Sequence, residues 1–134
     1  MRAVLAALAA AAAASWSLAA CYDDTVGADC QGADCRCVGP DAVCELRCDA
    51  DRPCTTTCDD DAGCAVDCGG APACAVTCGH PTWCDVDCAG GPCTVTCASS
   101  CTVTGCTAGP CAVTCAAGAL PTRVGDTMRC PYRS

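Results

Sequence analysis

The sequence predicts an all-β fold: a small, disulfide-rich β-solenoid of about eight ten-residue Cys-x-Val-x-Cys coils. Three observations predict it. Cysteines recur in pairs, Cys44/Cys48, Cys54/Cys58, Cys64/Cys68, Cys74/Cys78, Cys84/Cys88, Cys93/Cys97, Cys101/Cys106 and Cys111/Cys115, beginning at 44, 54, 64, 74, 84, 93, 101 and 111. A period of ten residues held over five units marks a stacked array in which each unit contacts its neighbours. Within a pair the residues alternate, as in Cys74-Ala-Val-Thr-Cys78 and Cys93-Thr-Val-Thr-Cys97. Period-2 alternation puts Cys, Val and Cys on one face of a strand and Ala, Thr or Asp on the other. Between pairs stand turn formers, such as Gly69-Gly70-Ala71-Pro72 and Ala89-Gly90-Gly91-Pro92, which exclude a long helix.

Two arrangements satisfy this pattern. In the solenoid each unit is one small coil, and like cysteines of neighbouring rungs lie about 4.8 Å apart, within disulfide reach. In an antiparallel β-meander, the alternative, Cys48 faces Cys54 across the turn and Cys44 faces Cys58. Neither lets Cys44 bridge Cys48, because four extended steps cover about 13 Å. The constant unit and constant inward face favour the solenoid. Gly105, which lengthens the seventh unit by one residue, suggests a bulge.

Taken in order, residues 1–20 have the layout of a secretory signal, a positive start at Met1-Arg2 followed by an apolar run to Ala20. No basic residues follow to stop transfer, which argues against a retained membrane helix. Leu18-Ala19-Ala20-Cys21 resembles the lipobox of bacterial lipoproteins. That resemblance implies cleavage before Cys21 and its acylation, with chains such as palmitate, as the new N-terminus. Removing Cys21 from the 21 cysteines leaves 20, an even set for an oxidising compartment. Residues 21–29 then form a lipidated tether, 30–43 an N-terminal cysteine-rich cap, 44–115 the repeat domain and 116–134 a C-terminal cap or tail. Tyr22 rather than Asp after the lipid site favours the outer membrane of the cell envelope, by resemblance to bacterial sorting rules. The disulfide candidates are Cys30, Cys35, Cys37, Cys44, Cys48, Cys54, Cys58, Cys64, Cys68, Cys74, Cys78, Cys84, Cys88, Cys93, Cys97, Cys101, Cys106, Cys111, Cys115 and Cys130.

Composition limits what such a chain does. Past the signal there are no Phe, one Trp (Trp83) and two Tyr (Tyr22, Tyr132), and the apolar residues are mostly Ala and Cys. Little area is then available for a conventional core, and bridges worth about 2–4 kcal/mol each take its place. The chain carries 15 acidic residues and no Lys, which disfavours nucleic acid and anionic lipid as partners. Catalysis is poorly supplied. His80, the one histidine, lies in the turn Gly79-His80-Pro81-Thr82 with nothing arguing for a triad around it. No Cys-x-x-Cys indicates a thioredoxin-like pair or a zinc ribbon.

Three further constellations bear on binding. Cys-x-x-x-Cys is similar to the motif of bacterial copper-storage proteins. Those carry it on long helices, however, and here Gly and Pro interrupt every unit; Cys35-Arg36-Cys37 is the one metallothionein-like pair. Asp59-Asp60-Asp61, with Asp67, Asp85 and Asp87 on outward positions, is an acidic surface whose spacing matches no EF-hand or calcium-repeat loop. Thr55/Thr57, Thr94/Thr96 and Thr102/Thr104 resemble the Thr-x-Thr ladder of disulfide-stapled β-solenoid antifreeze proteins. That resemblance implies an ice-binding face, but the ladder is broken by Glu45/Arg47, Ala65/Asp67, Ala75/Thr77, Asp85/Asp87 and Ala112/Thr114. The expectation is therefore a non-enzymatic envelope lipoprotein, without cofactor, metal or catalytic residues, held to a membrane by its N-terminal lipid. It serves as a structural or partner-binding scaffold. A thiolate metal-storage protein for copper or zinc is the alternative, and an ice- or calcium-binding surface protein the second.

Overall fold

The computed structural model describes residues 20–22, 28–32, 34–81, 83–106 and 110–132, with side chains from Asp34 onward. Residues 1–19 and 107–109 lie outside them, as does the side chain of Cys21. The strands are β1 (Ala20–Tyr22), β2 (Ala28–Gly32), β3 (Asp34–Val38), β4 (Val43–Cys48), β5 (Cys54–Cys58), β6 (Gly63–Asp67) and β7 (Cys74–Cys78). They continue as β8 (Trp83–Asp87), β9 (Cys93–Cys97), β10 (Cys101–Thr104), β11 (Cys111–Cys115), β12 (Thr122–Val124) and β13 (Thr127–Cys130).

The chain folds as a β-solenoid of about four turns. Odd-numbered strands form one sheet in the order β1-β3-β5-β7-β9-β11, here sheet A. Even-numbered strands form the facing sheet B, β2-β4-β6-β8-β10, closed at one end by the antiparallel hairpin β13-β12. All other pairs are parallel. The meander is therefore not the fold.

The ten-residue unit, however, is half a coil rather than a whole one. Cys54 pairs with Cys74 and Cys44 with Cys64, each two units on. The physical reason lies in the turns. The backbone N–H of Ala62 donates to Asp59 O, Ala71 to Cys68 O and Gly91 to Cys88 O, so these Gly/Asp/Pro segments reverse the chain within four residues. Such a reversal is too tight to carry the chain back across a strand of about 16 Å. The next strand makes the return, on the opposite sheet. Each turn therefore joins the sheets at one edge and then the other.

Bridges follow the same path. Cys37–Cys44, Cys58–Cys64, Cys78–Cys84 and Cys97–Cys101 staple one edge; Cys48–Cys54, Cys68–Cys74, Cys88–Cys93 and Cys106–Cys111 staple the other. Cys115–Cys130 ties the last strand of sheet A to the closing hairpin. Bridging is thus across the turns, between sheets, and not up the columns of like cysteines. Cys44 faces Cys37 and Cys58 faces Cys64, where the meander would have put Cys44 opposite Cys58. Cα separations of 5.5 to 6.4 Å across these turns suit a disulfide.

Between the sheets lies a core two side chains thick. Thr56, Val76 and Val95 line up on sheet A; Leu46, Val66, Val86 and Val103 line up on sheet B, all buried. Cys30 stands in register with Leu46, and Cys35 with Thr56, so β2 and β3 continue the same stack at its N-terminal end. Turns stack as well: Gly79 N donates to Cys58 O, Asp59 N to Cys37 O and Cys88 N to Thr104 O, extending the ladder around the edges. The extra residue of the seventh unit is absorbed there. Gly105 lies just past β10, at φ +73°, where a Cβ would fall 2.8 Å from Ala89 N. It is a left-handed turn residue rather than a bulge within the strand.

Candidate functional surface

Because successive units alternate between sheets, the outward residues sort by unit parity. Sheet A presents Thr55/Thr57, Ala75/Thr77, Thr94/Thr96 and Ala112/Thr114. In register these make two columns. Thr57, Thr77, Thr96 and Thr114 form an unbroken one, and Thr55, Ala75, Thr94 and Ala112 alternate in the other. Apart from Asp34 and Arg36 at the N-terminal rung, no described outward residue of these strands is charged. Rungs repeat at about 4.8 Å and the columns stand about 6.7 Å apart, so the face is a regular lattice of methyls and hydroxyls.

Sheet B is its opposite. Its outward residues are Glu45/Arg47, Ala65/Asp67, Asp85/Asp87 and Thr102/Thr104, with Arg129 on the closing hairpin. They line a shallow groove across the sheet. Glu45 and Arg47 form a loose ion pair at 3.7 Å. Asp67 and Asp87 each bend back to their own turns: Asp67 Oδ1 accepts from Gly69 N at 2.8 Å and Asp87 Oδ1 from Ala89 N at 2.9 Å. Such side-chain-to-backbone bonds fix the turn that follows the strand.

The acidic run and the histidine also have local partners. Asp59 holds the Arg36 guanidinium at 2.9 Å on the rung below, and Asp60 Oδ1 accepts from His80 N on the rung above at 2.7 Å. Asp61, at φ +63°, donates its N–H to His80 O. His80 itself is exposed, and its backbone is what the fold uses. These groups tie stacked turns together.

All 19 cysteines whose side chains are described are disulfide-bonded, Cys35 and Cys37 among them. Sulfur triads do occur, at Cys48/Cys54/Cys74, Cys68/Cys88/Cys93, Cys88/Cys106/Cys111 and Cys97/Cys101/Cys130. Each contains both halves of a bridge. The triads therefore record bridges stacked on bridges, and bridged sulfurs are not thiolate ligands. The expected signal at 1–20 and the acylation of Cys21 fall outside the described residues. The expected tether, 21–29, is strand at both of its ends, which belong to β1 and β2.

No family model matches the sequence, and comparison with curated proteins and with solved structures finds no match. The two faces themselves are what the sequence reading missed. The signal was present as a period of twenty: charge at 45/47, 67 and 85/87, and Thr or Ala alone at 55/57, 75/77 and 94/96.

Proposed function

We propose that this chain is an exported, lipid-anchored, non-enzymatic scaffold that works by laying the uncharged face of sheet A against a partner surface. The segregation of Thr and Ala onto one sheet and of charge onto the other carries the reading. All five charged outward residues of β4 to β11, Glu45, Arg47, Asp67, Asp85 and Asp87, lie on sheet B. A rigid array of stapled rungs supports it, since a flat face loses little conformational entropy on docking. Nineteen disulfide-bonded cysteines fit an oxidising extracellular or envelope environment. β1 is the end strand of sheet A, so a chain anchored at Cys21 leaves from one end of the stack. Intact mass before and after Cys21→Ala tests the anchor. The native chain is expected to carry diacylglycerol-type mass and to fractionate with membranes, and the variant to be released. An unmodified native mass refutes the anchor.

A second reading is favoured by one specific observation, the unbroken Thr57-Thr77-Thr96-Thr114 column. The charged units that break the ladder in the sequence at 45/47, 65/67 and 85/87 lie on the other sheet, and Ala, which is small and uncharged, fills the gaps on this one. Such a lattice suits an ordered water surface, because methyls and hydroxyls repeat together without a charge to disturb it. Ice recrystallisation and thermal hysteresis are the assays. Activity lost on Thr77→Lys with an unchanged circular dichroism melt assigns the face to ice. An inactive native chain removes this reading and leaves the scaffold one.

A further inference from the structure

We propose that the edge bridged by Cys48–Cys54, Cys68–Cys74, Cys88–Cys93 and Cys106–Cys111 is a thiol relay, along which thiol–disulfide exchange passes from rung to rung. Three approaches carry it. The Cys48 and Cys74 sulfurs, from successive bridges, lie 3.8 Å apart. Those of Cys68 and Cys93, one rung further, lie 3.9 Å apart. The Cys88 sulfur is within 4.8 Å of both Cys106 and Cys111. A buried disulfide is ordinarily inert because no thiolate reaches it. In this column a neighbouring bridge, once opened, supplies the thiolate from within, at 3.8 and 3.9 Å in two of the three approaches.

The column also has an accessible end. Cys111 alone among the eight cysteines is half-buried, on β11, the last strand of sheet A. The others are 7% exposed or less. A protein dithiol of the oxidoreductase class is therefore the chemistry that fits: its thiolate attacks Cys111 and expels Cys106 as a thiolate. Cys106 attacks Cys88, forming Cys106–Cys88 and expelling Cys93. Cys93 attacks Cys68, forming Cys93–Cys68 and expelling Cys74. Cys74 attacks Cys48, forming Cys74–Cys48 and expelling Cys54. Each internal step makes one S–S bond and breaks one. The reductant's second thiol then releases Cys111, so two electrons enter and one disulfide leaves with the reductant. Net, a bridge reduced at one end appears as thiols at Cys111 and Cys54, three rungs or about 14 Å apart.

The relay is tested in the Cys111→Ser variant, which leaves Cys106 as a thiol facing Cys88. After incubation at pH 8, acid quench, alkylation and non-reducing peptide mapping, label is expected to be shared among Cys106, Cys93, Cys74 and Cys54. New Cys88–Cys106 and Cys68–Cys93 peptides should accompany it. Label confined to Cys106 with Cys88–Cys93 intact overturns the proposal. So do peptides joining the two edges, such as Cys106 with Cys115, because they report exchange through unfolding. The native chain treated with limiting dithiothreitol gives the same answer without a variant. Label at Cys111 together with Cys93, Cys74 or Cys54 supports the relay, and label at Cys106 and Cys111 alone refutes it.

Discussion

Replacing Cys68 and Cys74 together by Ala removes the bridge between β6 and β7 and leaves no thiol behind. Two contributions set the cost. The bridged residues are six apart in sequence, and the loop-closure relation gives about 2.3 kcal/mol for a loop of that size. Both side chains are buried, at 1% and 3% exposure, and trimming each sulfur forfeits burial comparable to a methylene, about 0.8 kcal/mol apiece. The sum is about 4 kcal/mol, a large share of the stability of a typical domain. Urea unfolding followed by circular dichroism measures it, as the shift in midpoint multiplied by the slope. Because each rung contacts mainly its neighbours, amide exchange should accelerate most in β6 and β7 and least in the closing hairpin. A measured cost below about 1 kcal/mol would refute the reasoning. It would mean that the valine column, and not the staple, holds adjacent half-coils together.

Other substitutions probe single features. Thr56→Val is expected to raise stability by about 1 kcal/mol in the same urea assay. The Thr56 hydroxyl is fully buried without a hydrogen-bond partner, in a column that continues as Val76, Val95 and Val113. Gly69→Ala should cost about 1–3 kcal/mol. Gly69 sits at φ +57°, and a Cβ there would meet Cys48 O at 2.8 Å; the thermal midpoint reads the loss. Arg36→Ala should cost less than about 1 kcal/mol and only at low salt, because the Arg36 side chain is 61% exposed in its pair with Asp59. Melts at low and high ionic strength check it. Removing Cys115–Cys130, whose residues are 15 apart, should cost about 3 kcal/mol in loop entropy, more than the shorter Cys97–Cys101 bridge.

Much of the fold was legible because it rests on local rules. Alternation in Cys74-Ala-Val-Thr-Cys78 gave strand and inward face, and Gly69-Gly70-Ala71-Pro72 gave the turn. The number of strands per coil was not legible from the cysteines, because Cys44 and Cys54 look alike whichever sheet they enter. That information resides in the residues that do not repeat at ten, Glu45 against Thr55 and Asp85 against Ala75. Pairing across the turn followed once the sheet assignment was known, since Cys48 and Cys54 end and begin facing strands. The Thr/Ala face was invisible for the same reason: at a period of ten it reads as a broken ladder, and at twenty as a continuous one.

The staples also decide what happens when a peptide bond is cut. The exposed turns are where a protease finds purchase, and each lies inside a loop closed by its own disulfide, as residues 49–53 lie between Cys48 and Cys54 and residues 69–73 between Cys68 and Cys74. A nick there separates nothing, since the two new ends remain joined through sulfur. Only cleavage between the two cysteines of one strand, such as at residues 45–47 of β4, would part the stapled rungs, and in each such strand except β11, at the end of sheet A, the backbone is paired on both sides. Vulnerable bonds are thus redundant and indispensable ones are sheltered, a layout that lets such a chain persist among proteases while accumulating breaks.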